Sequence, residues 1–305
     1  MSETRSSRRA FLLRAGAFAT GAALPRPLLA LRGRLRGPDQ ARLVSWVSTL
    51  RAEGLTAADV PFGRAVIRAA ELAIGTPYEA GTLESYLRDG GSPHREPLTV
   101  SLTRFDCVTL VEASIAVARL AARTGSPAWP AFAREVERMR YRGGLRKGYA
   151  SRLHYFSEWI GDGARRGLLA DLGPVLGGTA DERPLRFMTG HRASYLALAD
   201  DRAFLEIGAM ERRLDRAPRY VVPRASLDDV TDRIETGDVV AFVTAIPGLD
   251  VTHAALAWRD ARALRVLHAP LSGGVVEVTR TTLPEYVAAI RSCTGVLVAR
   301  PLPAA

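Results

Sequence analysis

Two hydrophobic periods divide this chain, and together they leave few folds open. Across residues 40–166 apolar positions recur at helical spacing, which predicts helices over 40–52, 63–74, 105–124, 130–141 and 153–166. From residue 238 onward they come in short β-branched runs broken by turns, which predicts strands over 238–244, 251–258, 264–269, 275–279 and 294–300. A further helix fits over 283–292, behind the Thr281/Thr282 cap and Pro284. The connections between these strands are too short for parallel crossovers, so they imply antiparallel hairpins. Helices gathered ahead of an antiparallel sheet make an α+β fold. Neither half offers a complete core alone, so residues 37–305 read as one domain. The Gly- and Pro-rich stretch 172–184 reads as a surface loop over the site.

Charge is where composition enters. With 47% apolar and 24% charged residues, the chain matches neither disordered nor membrane-embedded proteins, but its formal net charge is +10. A nucleic-acid ligand would be the first thought. The distribution removes it. Residues 1–36 hold eight arginines against a single acid, Glu3, which leaves 34 bases and 31 acids for all the rest. The bulk of the chain is nearly balanced, and nucleic acid is not among its expected partners.

Those basic residues open a segment with its own logic. Arg8-Arg9-Ala10-Phe11-Leu12 precedes the small, apolar run from Ala15 to Leu24. A basic stretch followed by about ten apolar residues is a signal peptide, too short to span a bilayer. The paired arginines followed by Phe-Leu resemble a twin-arginine export signal, so the expected partner is the export machinery and the expected location is periplasmic or otherwise exported. No stable membrane insertion is expected after cleavage.

The chemistry-bearing residues are few. Cys107 follows Asp106, a plausible N-cap, and so lies in the first turn of the longest periodic segment. Unpaired amides and the helix dipole stabilise a thiolate there, and the same amides can receive an oxyanion. A lone cysteine on an apolar helix is also a common small core residue. His253 lies on a predicted strand with Ala255 and Ala257 on its face, and His268 ends the next strand with Leu264 and Val266. Adjacent antiparallel strands can set the two imidazoles side by side. A thiol at a helix start, a strand histidine as base and a second histidine as orienter form a nucleophilic constellation. Zinc held by Cys107, His253 and His268 is the competing chemistry, although the chain lacks His-Glu-x-x-His and paired Cys-x-x-Cys motifs. Cys293, between a helix and the last strand, reads as a core residue.

These residues sit within a wider pattern. Gly75-Thr76-Pro77-Tyr78, Asp106-Cys107, His253-Ala254-Ala255 and Leu267-His268-Ala269 resemble, in order, the signature of NlpC-type, papain-like cell-wall hydrolases. The resemblance is closer to the N-acetylmuramoyl-L-alanine amidase-like branch. It is carried by residues 75–84, Phe105-Asp106-Cys107-Val108-Thr109, Tyr141-Arg142-Gly143-Gly144, residues 151–159 and Gly248-Leu249-Asp250-Val251-Thr252-His253. The resemblance covers about residues 60–301 and implies a papain-like α+β fold that hydrolyses an amide of peptidoglycan or of muropeptides. By position it makes Cys107 the nucleophile, His253 the base and His268 the orienting residue, with no cofactor. Tyr78 would line the pocket beside the cysteine, and Asp106 would contact substrate or only cap the helix. Arg152 and His154 would line the glycan side or serve packing. Val108-Thr109 stands where many stem-peptide endopeptidases of the superfamily have Ser-Gly, which favours cleavage between N-acetylmuramic acid and L-alanine. A stem-peptide endopeptidase, a zinc-dependent amidase and a catalytically silent peptidoglycan-binding protein remain the alternatives.

Overall fold

The structure is a computed structural model and describes residues 36–272 and 274–303. The export signal expected over 1–36 lies outside them, apart from Arg36. Among the described residues no helix is long and apolar enough to cross a membrane.

The helical half forms α1 (Arg36–Ala52), α2 (Phe62–Glu71), α3 (Cys107–Ala122), α4 (Trp129–Arg140) and α5 (Phe156–Arg165). All five predicted helices are present, each shifted by a few residues at its ends. α3 departs from the expectation of one inward face: every residue from Leu110 to Ala121 is buried. A helix that is apolar all round belongs inside a core, and α1, α2 and α4 surround this one. Its two internal charges are paired. Arg140 Nε donates to Glu112 Oε2 at 2.8 Å, and Arg119 donates to the Leu168 and Leu302 carbonyls.

Between the helices and the main hairpins lie elements absent from the sequence expectations. These are β1 (Leu169–Asp171), β2 (Thr179–Asp181), α6 (Asp201–Leu214) and β3 (Arg219–Pro223). They lead into β4 (Val239–Thr244), β5 (Val251–Arg259), β6 (Leu264–His268), β7 (Glu277–Val278), α7 (Leu283–Ala289) and β8 (Cys293–Pro301). The eight strands make one antiparallel sheet in the order β2-β3-β8-β4-β5-β6-β7, with β1 also on β8. One expectation is corrected here. The 172–184 stretch does not lie over the site, because its centre is edge strand β2, four strands away from β5.

Alternation along the strands sorts their side chains between two cores. Val239, Ala241, Val243, Ala254, Leu256 and Leu267 face the five-helix layer. Val240, Phe242, Ala255, Ala257 and Val266 face the opposite way, against Leu227, Val230 and α7. Covered on both faces, the sheet reads as nearly continuous apolar runs. A third cluster, with Tyr149, Tyr155, Met188, Ile207 and Met210, is built around α6.

Candidate active site

Cys107 owes its position to a helix cap. Asp106 Oδ1 accepts the Thr109 N–H at 2.7 Å, and Thr109 Oγ1 accepts the Asp106 N–H at 2.8 Å, a reciprocal capping box. The Cys107 and Val108 amides are thereby left facing outward at the start of α3. Tyr78 is brought beside them by irregular pairing. The Tyr78 N–H donates to the Gly274 carbonyl at 2.8 Å and the Phe105 N–H donates to the Pro77 carbonyl at 3.1 Å. Val275 and Val276, expected in a strand over 275–279, are used for this pairing, so the ladder with β6 is reduced to Glu277 and Val278, with the Thr279 N–H adding a bond to the Val266 carbonyl.

The histidines come from the other face of the sheet. His253 stacks on Phe242, its cross-strand partner on β4, with ring centroids 5.6 Å apart. His268 ends β6 and is 2% exposed. Their nitrogens meet directly: His253 Nε2 and His268 Nδ1 are 2.8 Å apart, with the rings nearly perpendicular.

Thiol and imidazoles therefore approach from opposite faces and need an opening. Strand pairing supplies it. The Ala257 N–H bonds to the Asp238 carbonyl on the β4 side, so by strand alternation Ala255 also points there and Ala254 points toward β6. The β5–β6 register ends at Leu256 and Leu267, which leaves the Ala254 N–H without a ladder partner. It faces the Cys107 sulfur instead, as do the amides of Cys107 and Val108. Because the Ala254 nitrogen is bonded to the His253 carbonyl carbon, sulfur and imidazole share one strand end.

Electrostatics at this strand end oppose free charge. Cys107 is partly exposed as a residue, yet burial of its sulfur and then the Asp106 carboxylate push the thiol up to about 12, against the pull of the three amides. The helix-start amides do pull the thiol down, as expected, but desolvation outweighs them. Burial, then His268, takes His253 down to about 3, and burial takes His268 down to about 4. These shifts favour the neutral forms of the thiol and of both imidazoles. No hydrogen bond joins Cys107 to His253 among the described residues. Tyr78, half-buried, has its phenol raised to about 12 by burial, then by Cys107 and Asp106.

Arg152 and His154 are placed elsewhere. Arg152 is buried between Glu84 and Glu96, at 3.0 and 3.2 Å, and packs on the Tyr149 ring. His154 Nε2 lies 2.8 Å from the Tyr149 carbonyl and its ring packs tilted against that of Tyr149, with centroids 4.4 Å apart. Arg152 Nη2 and His154 Nε2 are thus bonded within the protein, which favours the packing alternative over glycan contact. The motifs around them bond one another too. Tyr141 donates to Glu96, Arg142 grips Glu158, and the Ser157 amide and hydroxyl both donate to Asp250 at 2.8 Å. Asp250 thereby ties the start of β5, three residues before His253, to α5. Sequence reasoning passed over Tyr286 and Glu277, the remaining neighbours of His268. Their only signal was membership in elements adjoining β6.

Both cysteines are free, and the Cys293 thiol donates to the Gly295 carbonyl at 3.2 Å within the second core. Among the described residues no three His, Cys, Asp or Glu side chains converge as a metal site would require. The 2.8 Å separation of the two imidazole nitrogens is shorter than two zinc–nitrogen bonds of ~2.0–2.1 Å at a tetrahedral angle would allow.

The model of a family described as AmiA-like, N-acetylmuramoyl-L-alanine amidase-like, matches residues 68–295. A crystal structure of an N-acetylmuramoyl-L-alanine amidase from Bacteroides uniformis superposes with a TM-score of 0.72 at 29% identity, covering 79% of this chain and 99% of that one. A Bacteroides fragilis protein named "putative xylanase" matches at 32% identity and a TM-score of 0.70, covering 76% and 99%. A Legionella pneumophila protein at 16% identity and a TM-score of 0.63, covering 88% and 96%, shares the fold. No curated protein sequence matches.

Proposed function

The chain belongs to the N-acetylmuramoyl-L-alanine amidase-like family, and on that premise we propose that it is an exported, papain-like cysteine amidase. Its substrate is the amide between N-acetylmuramic acid and L-alanine in peptidoglycan or its fragments. The observation that supports the reading is that the Ala254 amide, which faces the Cys107 sulfur, directly follows His253, whose ring nitrogen lies 2.8 Å from that of His268. In this reaction His253 takes the thiol proton as sulfur attacks the lactyl carbonyl. The amides at the start of α3 receive the oxyanion. The imidazolium then protonates the departing L-alanine nitrogen, and water hydrolyses the thioester, with His253 again as base. Neutral reactants suit a dry cleft, because moving the proton from thiol to imidazole creates two charges that stabilise each other, whereas ionising either alone does not.

A glycosidic bond, as the name of the Bacteroides fragilis relative suggests, calls for a pair of carboxylates flanking it. Here Asp106, the carboxylate nearest the thiol, is held in the helix cap. The reading is tested by incubating purified protein with defined muropeptides and weighing the products. Free glycan plus intact stem peptide is expected, unaffected by chelator, and lost by at least a thousandfold in Cys107→Ala. A cut within the stem would make it an endopeptidase, chelator sensitivity would favour zinc, and unchanged muropeptide would make it a binder.

A further inference from the structure

A pair of facing imidazoles poses a question of proton order. With His253 Nε2 and His268 Nδ1 2.8 Å apart, one nitrogen must donate and the other accept. If His268 Nδ1 carries the proton, His253 Nε2 is the acceptor, and neutral His253 must hold its own proton on Nδ1. Both ends of His253 are then occupied, and it cannot act as a base. If His253 Nε2 carries the proton, Nδ1 is bare and ready for the thiol. The pair therefore has one active and one inactive order, with the same heavy-atom positions.

We infer that Tyr286 and Glu277 are positioning residues that select the active order, by holding His268 with Nδ1 as acceptor and its proton on Nε2. The inference rests on the proposed function for its catalytic meaning, but the proton order itself does not. Two observations converge on it. The Tyr286 hydroxyl lies 3.5 Å from His268 Nδ1, with the two rings at 88° and their centroids 5.3 Å apart. Its phenol is raised above its ordinary value, chiefly by burial, so it keeps its proton; a neutral phenol can donate or accept, and it donates to Nδ1 once the ring proton is drawn to Nε2. On the opposite edge of the same ring, Glu277 Oε1 is 4.0 Å from His268 Nε2. A carboxylate there favours a proton on Nε2. Glu277 is placed by backbone register, directly across from His268 in the β6–β7 pair. Tyr286 is placed by α7, whose start is fixed by a Thr282–Glu285 capping box, and by its tilted contact with Phe242. Phe242 also stacks on His253, so one side chain packs against both His253 and Tyr286.

The test is a long-range proton–nitrogen NMR spectrum of the full chain, in which protonated and bare imidazole nitrogens resonate far apart. His253→Gln and His268→Asn assign the signals. The wild type is expected to carry its protons on Nε2 of both histidines. Tyr286→Phe, which keeps the ring and removes only the hydroxyl, should populate Nδ1–H on His253. On muropeptide its kcat should fall about five- to tenfold with KM unchanged, the weight of one ordinary hydrogen bond on a population. Adding Glu277→Gln should extend both effects. A wild-type His253 protonated on Nδ1, or a Tyr286→Phe spectrum identical to wild type, would overturn the inference. Expected spectra from a protein that leaves muropeptides intact would instead refute the amidase reading while supporting the proton order.

Discussion

Acid should unfold this protein through its paired histidines, and the sign of the effect follows from their burial. In an unfolded chain each imidazole binds a proton near pH 6.5. In the folded protein burial and then the neighbouring His268 hold His253 down to about 3, and burial holds His268 down to about 4. Between those values and 6.5 the unfolded chain binds more protons, so stability rises with pH across that window and is lost as pH falls below 6.5. One unit of displacement is worth about 1.4 kcal/mol. At pH 5, about a unit and a half below the unfolded value, each histidine removes ~2 kcal/mol, or ~4 kcal/mol for both. The figure falls toward ~2 kcal/mol if the two rings share a proton across their contact. Against a total of about 5–15 kcal/mol, that loss is large. Urea unfolding at pH 7.5 and pH 5.0 measures it, with wild type compared with His253→Gln/His268→Asn. Carboxylates titrate in both proteins and subtract out. The wild type should lose ~2–4 kcal/mol more than the variant over this interval. Equal losses in the two proteins would refute the argument.

The other stability predictions concern α3 and its support. Replacing Glu112 with Leu strands the Arg140 guanidinium, its 4%-exposed partner, and should cost ~3–5 kcal/mol. Glu112→Leu/Arg140→Met, which leaves no buried charge, should recover most of that in a denaturant double-mutant cycle. Gly63 opens α2 against the β4 turn so closely that an added Cβ would stand 2.2 Å from the Thr236 carbonyl oxygen. Gly63→Ala should therefore cost ~1–3 kcal/mol by the same measurement, although alanine is the better helix former.

How far the site was legible can be judged residue by residue. Cys107 was placed from Asp106 and the apolar run behind it, because capping is local chemistry. His253 and His268 were assigned matching faces by strand alternation, which needs no knowledge of packing. Arg152 and His154 could be read either way. Only the partners folded around them, Glu84, Glu96 and Tyr149, show what Arg152 and His154 Nε2 contact within the protein. The Gly- and Pro-rich 172–184 stretch misled because composition marks a turn without saying which edge of a sheet it joins. β1, β2 and β3, of three to five residues each, are too short to show a period.

The two periods that divide the chain determined by themselves an α+β fold, a helix beginning at a cysteine and two histidines on neighbouring strands. These follow from interactions among residues a few positions apart. The ionisation of the site and its proton order were decided elsewhere. Desolvation overrode the helix-start amides at Cys107. The end of β5–β6 pairing freed Ala254 to face the sulfur. Tyr286 and Glu277 came to opposite edges of His268 from α7 and β7. Burial and proton order depend on distant segments sharing one space, and local sequence carries no record of that.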